Sequence, residues 1–402
     1  MLDSVKTYII DRWIIILLFI LPPIFAVVNL PGKYAVISIM FLVALIYYLK
    51  YNALRTLALS YPLFLWLILT LYHWGNAVNK KVPGVDFVDL LHGIKIYSCI
   101  LIFTYLARKN FEQTIKSLFI CFMGYLLLSF VVNGGASNDE FHGRMSGVIF
   151  ATELGQTAAL SAVYIAYYSL IKNLSKLKSA FYYMLPLLVI LFTQSRNSLA
   201  MFFICIIGHG LAYSYLKGKR VRNIIFVLLF FSMLGFFVFD LIIKETDLGE
   251  RLTDTESVRE SQKKNDLATG TLFDTVVGDR LKYYVLGWEY FTESPWTGIG
   301  MWNFKFKSNG DYPLHSEYMV HITEGGIIAF VLWGLFLISL VRGVMRSKQP
   351  KYLKVLALFS IAEILFCGIY ARVFFYEFFY PVIGVALSFS SFGKPKTVLI
   401  NE

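Results

Sequence analysis

The sequence predicts an all-α fold, namely a polytopic integral membrane helix bundle with about 12 transmembrane helices and one large polar loop. Three observations support this prediction. Of the 402 residues, 57% are hydrophobic and only 16% are charged, which is more apolar than a soluble core requires. Apolar runs of about 20 residues, the length that crosses a bilayer, recur along the chain. Basic residues gather in alternate connections between these runs.

The apolar runs set the positions of the spans. The first run contains Pro22 and Pro23 and no small-x-small cleavage pattern follows it, so we expect a retained span rather than a removed signal peptide. The third run is the weakest, because Pro62 interrupts it and His73 ends it. The predicted spans are residues 13–30, 34–49, 57–74, 93–107, 114–132, 147–171, 179–194, 198–216, 223–243, 317–341, 353–371 and 373–391.

The basic connections predict the orientation. If the N-terminus is cytoplasmic, every strongly basic connection falls on the cytoplasmic side. Topology therefore explains most of the net charge of +11, and we expect membrane lipids rather than nucleic acid as surroundings. The chain divides into helices 1–9 at residues 1–243, a large outward loop at 244–316, and helices 10–12 with a cytoplasmic tail at 317–402. The basic residues concerned are Lys50, Arg55, Arg108, Lys109, Lys172, Lys176, Lys178, Lys217, Lys219, Arg220, Arg222, Arg342, Arg346, Lys348, Lys351 and Lys354.

Four arginines face the opposite side, which should be poor in positive charge. Arg144, Arg196 and Arg372 lie in short connections near helix ends, and Arg280 lies in the long loop. Taken singly, such an arginine snorkels or contacts lipid phosphate as readily as it serves a site. Taken together, they can converge, and convergent guanidinium groups suit a phosphate-bearing ligand.

The long loop has two halves of different character. Residues 244–270 are rich in both charges and poor in apolar anchors, which is typical of a solvated segment. From Asp279 to Phe291, apolar residues recur at helical spacing and predict an amphipathic helix that lies against the membrane face. Arg280 stands at its start, and glycines with Pro295 end it before His315.

His315 precedes the tenth span. A lone histidine at the start of a helix is more often a cap or an interface residue than a catalyst. Here, however, Glu317, His321 and Glu324 follow at i, i+4 and i+7 and form a polar stripe that lipid would not tolerate. We expect this stripe to face a wet cavity, where a neutral imidazole oriented by carboxylates can take a proton from a hydroxyl.

The four cysteines predict no disulfide and no metal site. Cys99, Cys121, Cys205 and Cys367 all fall inside apolar runs without metal-ligand spacing, so we expect small buried side chains. No cofactor is indicated.

Several short motifs, in fixed order, resemble the O-antigen ligase and O-antigen polymerase superfamily of bacterial envelope glycosyltransferases. The resemblance extends from about Arg144 to Arg372. Ala329 departs from the glycine or small polar residue that is more usual there. The motifs are Gly143-Arg144-Met145-Ser146-Gly147 with Leu154-Gly155, Thr193 to Ala200, Gly278-Asp279-Arg280, Ser294 to Gly300, and His315-Ser316 through Gly326.

The resemblance implies an inverting, metal-independent glycosyltransferase in the bacterial inner membrane, with its active site facing the periplasm. The donor would be a glycan on undecaprenyl diphosphate, and the acceptor a sugar hydroxyl. Arg196 and Arg280 would neutralise the diphosphate, with Arg144 and Arg372 as supporting contacts. His315 would activate the acceptor hydroxyl as a general base, and Glu317 and His321 would contact the substrates.

Two alternatives stay open at this point. About twelve spans also suit a transporter or flippase of lipid-linked glycans, although the halves of the sequence show no repeat of the kind that transporters carry. Within the enzyme class, a ligase transfers to lipid A-core and a polymerase to another lipid-linked repeat. The basic outer face slightly favours a phosphorylated core, and so a ligase.

Overall fold

A computed structural model shows that the protein is an all-α membrane helix bundle. It describes residues 60–85, 87–133, 151–193, 195–218, 281–308, 314–369, 371–372 and 378–389, with residues 11, 42–46 and 49. The predicted spans at 13–30 and 223–243 and most of the one at 34–49 lie outside these residues. So do the charged half of the long loop, Arg144, Arg280 and the side chain of Arg196.

The regular elements of the described ranges are helical throughout. Six stretches are long and apolar enough to cross a membrane, and the longest is Glu317–Met345. In chain order the helices are α1 (Tyr61–Asn79), α2 (Phe87–Lys109), α3 (Phe111–Asn133), α4 (Ala151–Ile171), α5 (Lys176–Thr193), α6 (Arg196–Leu216), α7 (Leu281–Glu293), α8 (Asn303–Lys307), α9 (Glu317–Met319), a π-helix (Val320–Glu324), α10 (Gly325–Met345), α11 (Lys351–Gly368) and α12 (Phe379–Ser388).

Contacts between connections confirm part of the predicted topology. Lys109 pairs with Asp11, and Lys172 pairs with Glu112. The next connection joins the same group, because Lys217 Nζ donates to Asn173 Oδ1 over 2.9 Å. These basic connections therefore share one end of the bundle, as alternating spans require.

Close helix contacts form the core around α4. The rings of Phe122 and Tyr164 stack with centroids 4.8 Å apart, and α4 is among the most buried spans. Small residues allow the closest approaches. A Cβ on Gly208 of α6 would lie 2.5 Å from Phe359 Cβ of α11, and one on Gly384 of α12 would lie 2.7 Å from Phe103 Cβ of α2.

The contact at Gly208 also sets the level of the outer helix ends. Helices α6 and α11 are joined by this contact and run antiparallel in the predicted topology. Arg196 begins α6 twelve residues before Gly208, and α11 ends at Gly368, nine residues after Phe359. At 1.5 Å per residue, these helical segments extend about 18 Å and about 13 Å from the contact. The start of α6 therefore lies within about one helical turn of the level at which α11 ends.

One predicted boundary and the predicted continuity of one span were wrong, whereas the predicted burial of the cysteines is confirmed. Helix α1 continues five residues beyond the predicted end at residue 74, to Asn79. The tenth span is not one continuous helix, since a π-helix and a kink interrupt it. All four cysteines are buried, as expected.

Candidate functional site

The site is centred on the break in the tenth span. Ser316 starts this span, and its hydroxyl accepts the N–H of Met319 over 3.4 Å. One turn later the chain widens into the π-helix Val320–Glu324. Gly326 then adopts φ 69° and ψ −170°, which is not helical. Such a break leaves backbone N–H and C=O groups without partners inside the helix, and these groups need others.

The turn after α7 supplies these partners. Ile299 N–H donates to Thr323 O over 3.0 Å, and Gly300 N–H donates to Glu324 O over 2.9 Å. In the other direction, Ile327 N–H donates to Pro295 O over 2.8 Å. The motif Ser294 to Gly300 therefore bridges the broken span through backbone hydrogen bonds.

Two glycines make this contact possible. A Cβ on Gly298 would lie 2.5 Å from the carbonyl carbon of Glu324, and one on Gly326 would lie 2.5 Å from the nitrogen of Gly298. Both residues also have positive φ, 65° and 69°, which side chains disfavour. The glycines of the motif are therefore needed both for space and for conformation.

Helix α1 holds the break from the opposite side. Asn76 Nδ2 donates to Thr297 O over 2.5 Å and to Glu324 O over 3.3 Å. Tyr72 donates its hydroxyl proton to Gly325 O over 2.9 Å. Three polar side chains of α1, those of Tyr72, His73 and Asn76, thus face the tenth span rather than lipid.

A chain of three buried side chains runs through this contact. Glu317 Oε1 lies 2.9 Å from His321 Nε2. The other ring nitrogen of His321, Nδ1, lies 3.0 Å from His73 Nε2. The exposed fractions of Glu317, His321 and His73 are 1%, 4% and 5%. The polar stripe is therefore covered by protein, and its histidine has a polar neighbour at each ring nitrogen.

Arg372 occupies the other side of the break. Its Nε donates to Leu314 O over 2.5 Å, and its Nη2 lies 3.5 Å from Glu324 Oε1. Its guanidinium carbon lies 4.7 Å from the centroid of the Trp302 ring, within the range of a cation–π contact. Trp302 itself has φ 69°. Such a conformation costs a bulky residue energy and is concentrated at functional sites.

Glu324 is the buried partner of Arg372. It is fully buried, and its Oε1 also accepts the N–H of Phe304 over 3.4 Å. Glu363, by contrast, is buried in α11, and within the described part of the chain its carboxylate oxygens have no hydrogen bond.

His315 is half-buried in a segment fixed at both ends to the turn after α11. Leu314 O accepts from Arg372, and the Ser316 hydroxyl donates to Gly368 O over 3.2 Å. Glu317 N–H donates to Ala371 O over 3.2 Å. The backbone that carries His315 is therefore held beside Arg372.

Of the segments that carry the remaining predicted residues, the structure describes the helix that follows Arg280 and the start of α6. Tyr284 of α7, the helix that follows Arg280, donates its hydroxyl proton to Ile369 O. Arg196 begins α6, next to the hydrogen bond between the Ser195 and Ser198 hydroxyls (2.6 Å). A Cβ on Gly155 would lie 2.8 Å from Ser198 Oγ, so two of the motifs meet there.

A pocket lies between α1, α2 and the break. Its empty space is about 680 Å³, a figure that includes the part open to the surroundings. Its walls are largely apolar and aromatic, with the carboxylate and the two imidazoles of the buried chain at one side. The lining includes Trp66, Trp74, Trp302, Asp89, His73 and Glu317.

Sequence reasoning missed His73, Asn76 and Trp302. His73 and Asn76 lie three residues apart at the end of an apolar run and so share one helix face. This three-residue spacing is the signal that the sequence offers, but the prediction places the end of a span at His73. No local pattern marks Trp302, since its role depends on Arg372, which lies 70 residues later in the chain.

The fold and the site together define the class of the protein. It is a multi-pass α-helical membrane protein with buried charged and imidazole groups where one span breaks. Residues 181–334 match the family model described as O-antigen ligase. This match confirms the resemblance to the O-antigen ligase and polymerase superfamily and supports a membrane enzyme of that type. No curated protein matches the chain.

Proposed function

We propose that this protein transfers a glycan from undecaprenyl diphosphate to a saccharide acceptor at the periplasmic face of the bacterial inner membrane. One observation carries the proposal. Arg372 and the chain Glu317–His321–His73 lie on two sides of one broken span, beside a pocket and within reach of the His315 backbone. The matched family segment covers most of this break.

The reaction needs three events. The acceptor oxygen forms a bond to the anomeric carbon of the donor, and the bond from that carbon to the diphosphate oxygen breaks. The diphosphate leaves with the electron pair, and the hydroxyl proton passes to the imidazole of His315. Attack opposite the leaving group inverts the anomeric carbon.

Arginines stabilise the leaving group in this proposal. Negative charge develops on the diphosphate, and guanidinium groups placed there in advance lower the barrier. Arg196 and Arg280 are assigned this role, with Arg144 and Arg372 as supporting contacts. No metal takes part in this scheme.

The acceptor is assigned as lipid A-core, which makes the protein an O-antigen ligase. The family description names this activity, and the basic outer face suits a phosphorylated core. A polymerase would use a lipid-linked repeat at the same site and with the same chemistry.

Complementation of a deletion strain tests the proposal. Cells that carry the wild-type protein should display full-length surface polysaccharide, whereas His315→Ala and Arg280→Ala variants at equal membrane levels should not. His209→Gln is the matched control, since His209 bonds to Tyr183 (2.7 Å) between α5 and α6. Normal polysaccharide from both variants would refute the assigned roles.

The deletion phenotype separates the candidate functions. A ligase predicts that polymer accumulates on the carrier lipid, and a polymerase predicts a single repeat on the core. A transporter predicts instead that purified protein in vesicles moves lipid-linked glycan without transferring it.

A further inference from the structure

We infer that His73 is a positioning residue of the reaction, which holds His321 so that the Glu317–His321 pair orients the acceptor hydroxyl in the adjacent pocket. The inference rests on the proposed function. His73 lies outside the matched segment 181–334, and it comes from a different helix, α1.

The position of the proton on His321 depends on the two neighbours of its ring. The negatively charged Glu317 carboxylate lies 2.9 Å from His321 Nε2 and favours a proton on that nitrogen. A neutral His321 then has its lone pair on Nδ1, so the partner at Nδ1 must donate. His73 Nε2, at 3.0 Å, is that donor. His73 thus selects the tautomer of His321 in which Nε2 carries the proton and faces Glu317.

Neighbouring groups hold the two imidazole rings in place. The ring of His321 lies between His73, with centroids 5.1 Å apart, and Trp333, also 5.1 Å away. His73 Cε1 would lie 2.6 Å from a Cβ on Gly325, so the absence of that Cβ allows α1 to approach. The imidazole pair is therefore held from both sides, as a group that orients a substrate must be.

The three side chains of the buried chain are accessible to a ligand. His73, His321 and Glu317 all line the pocket between α1, α2 and the break. Two tryptophans, Trp66 and Trp74, also line the pocket, and Asp89 adds a second carboxylate. A pyranose ring has apolar C–H faces and a rim of hydroxyls, which matches this combination. A polyprenyl chain matches it poorly, since carboxylates beside a hydrocarbon chain would lose hydration without gaining hydrogen bonds.

Three variants of His73 test the inference in a transfer assay with membrane vesicles, native lipid-linked glycan and purified acceptor. His73→Leu removes the donor, and we expect kcat to fall on the order of 100-fold, because small displacements of positioning groups have effects of this size. His73→Gln places an amide nitrogen where Nε2 was, and we expect it to restore most of the rate. His73→Asn retains polarity and does not reach His321, so it should resemble the leucine variant.

Further readouts separate positioning from a structural role. Thermal unfolding in detergent should be similar for His73→Gln and His73→Asn, although their rates differ. The KM for the donor should stay unchanged. The control His209→Gln should retain the wild-type rate.

Each remaining outcome overturns one claim. Full activity of His73→Leu, or equal loss in the glutamine and leucine variants, would overturn the positioning role while Arg280→Ala and His315→Ala remain inactive. Full activity of those two variants as well would overturn the proposed function itself.

Discussion

Gly298 and Gly326 meet backbone to backbone, since a Cβ on Gly326 would lie 2.5 Å from the nitrogen of Gly298. One glycine belongs to the turn after α7, and the other to the kink of the tenth span. The contact joins the end of the long loop to the membrane helix and so fixes both sides of the candidate site.

Gly326→Ala and Gly298→Ala should each destabilise the protein. Alanine would adopt a positive φ at a cost of about 1–3 kcal/mol, and its methyl group would collide with backbone atoms that cannot move independently. Thermal unfolding in detergent should show a clearly lower midpoint for both variants. Gly334→Ala, in α10, is the control, because nothing lies within 4 Å of its Cβ position. If all three variants unfold like the wild type, the contact between Gly298 and Gly326 does not stabilise the break.

Asn76→Asp should weaken the contact between α1 and the break. The side chain keeps its size, but it loses the donor that serves Thr297 O and Glu324 O. A buried carbonyl without its donor costs about 1–3 kcal/mol, and the added carboxylate repels both oxygens. Unfolding midpoints and transfer rates should both fall. Asn79→Asp at the exposed end of α1 should change neither, and equal behaviour of the two variants would contradict this role.

The polar stripe shows how far sequence reasoning extends. The i, i+4 spacing correctly brought Glu317 and His321 together. It also placed Glu324 on the same face, but Glu324 bonds with Arg372 on the other side of the break. The physical reason is the π-helix, whose wider turn rotates the residues that follow it. A local pattern does not reveal this turn, because the loop that stabilises it comes from residues 295–300.

Contacts between residues that are distant in the sequence could not be predicted either. Apolar runs predicted five helices, α3 to α6 and α11, to within about four residues at each end, because the requirement for a span acts on each run separately. The bond between His73 and His321 joins residues 248 positions apart, and nothing in either segment specifies the other. His73 was therefore interpreted as the end of a span.

Arg372→Gln should reduce stability, and Glu324→Gln should restore it when added. Removal of the guanidinium leaves the fully buried Glu324 carboxylate without its charge partner, which costs about 3–5 kcal/mol. Neutralising Glu324 removes that penalty, so a double-mutant cycle of unfolding free energies should show coupling of about 3 kcal/mol. Additive effects would show that the pair does not interact. Transfer activity should stay low in the double variant, since neither glutamine replaces the positive charge.

Gly155→Ala should reduce transfer activity more than stability. A Cβ there would lie 2.8 Å from both Ser198 Oγ and Thr193 Oγ1, and 2.9 Å from Ser195 Cβ. The turn that begins α6 must therefore shift by a few tenths of an ångström or more, and Arg196 shifts with it. Groups that stabilise developing charge depend strongly on placement, so we expect kcat to fall by about tenfold or more while the unfolding midpoint changes little.

Removal of the Ser198 hydroxyl by Ser198→Ala relieves one of the collisions and should restore part of the rate in the double variant. Gly124→Ala in α3, with nothing within 4 Å, serves as the control. A Gly155→Ala enzyme with normal kcat would show that the position of this turn, and hence Arg196, does not limit the reaction.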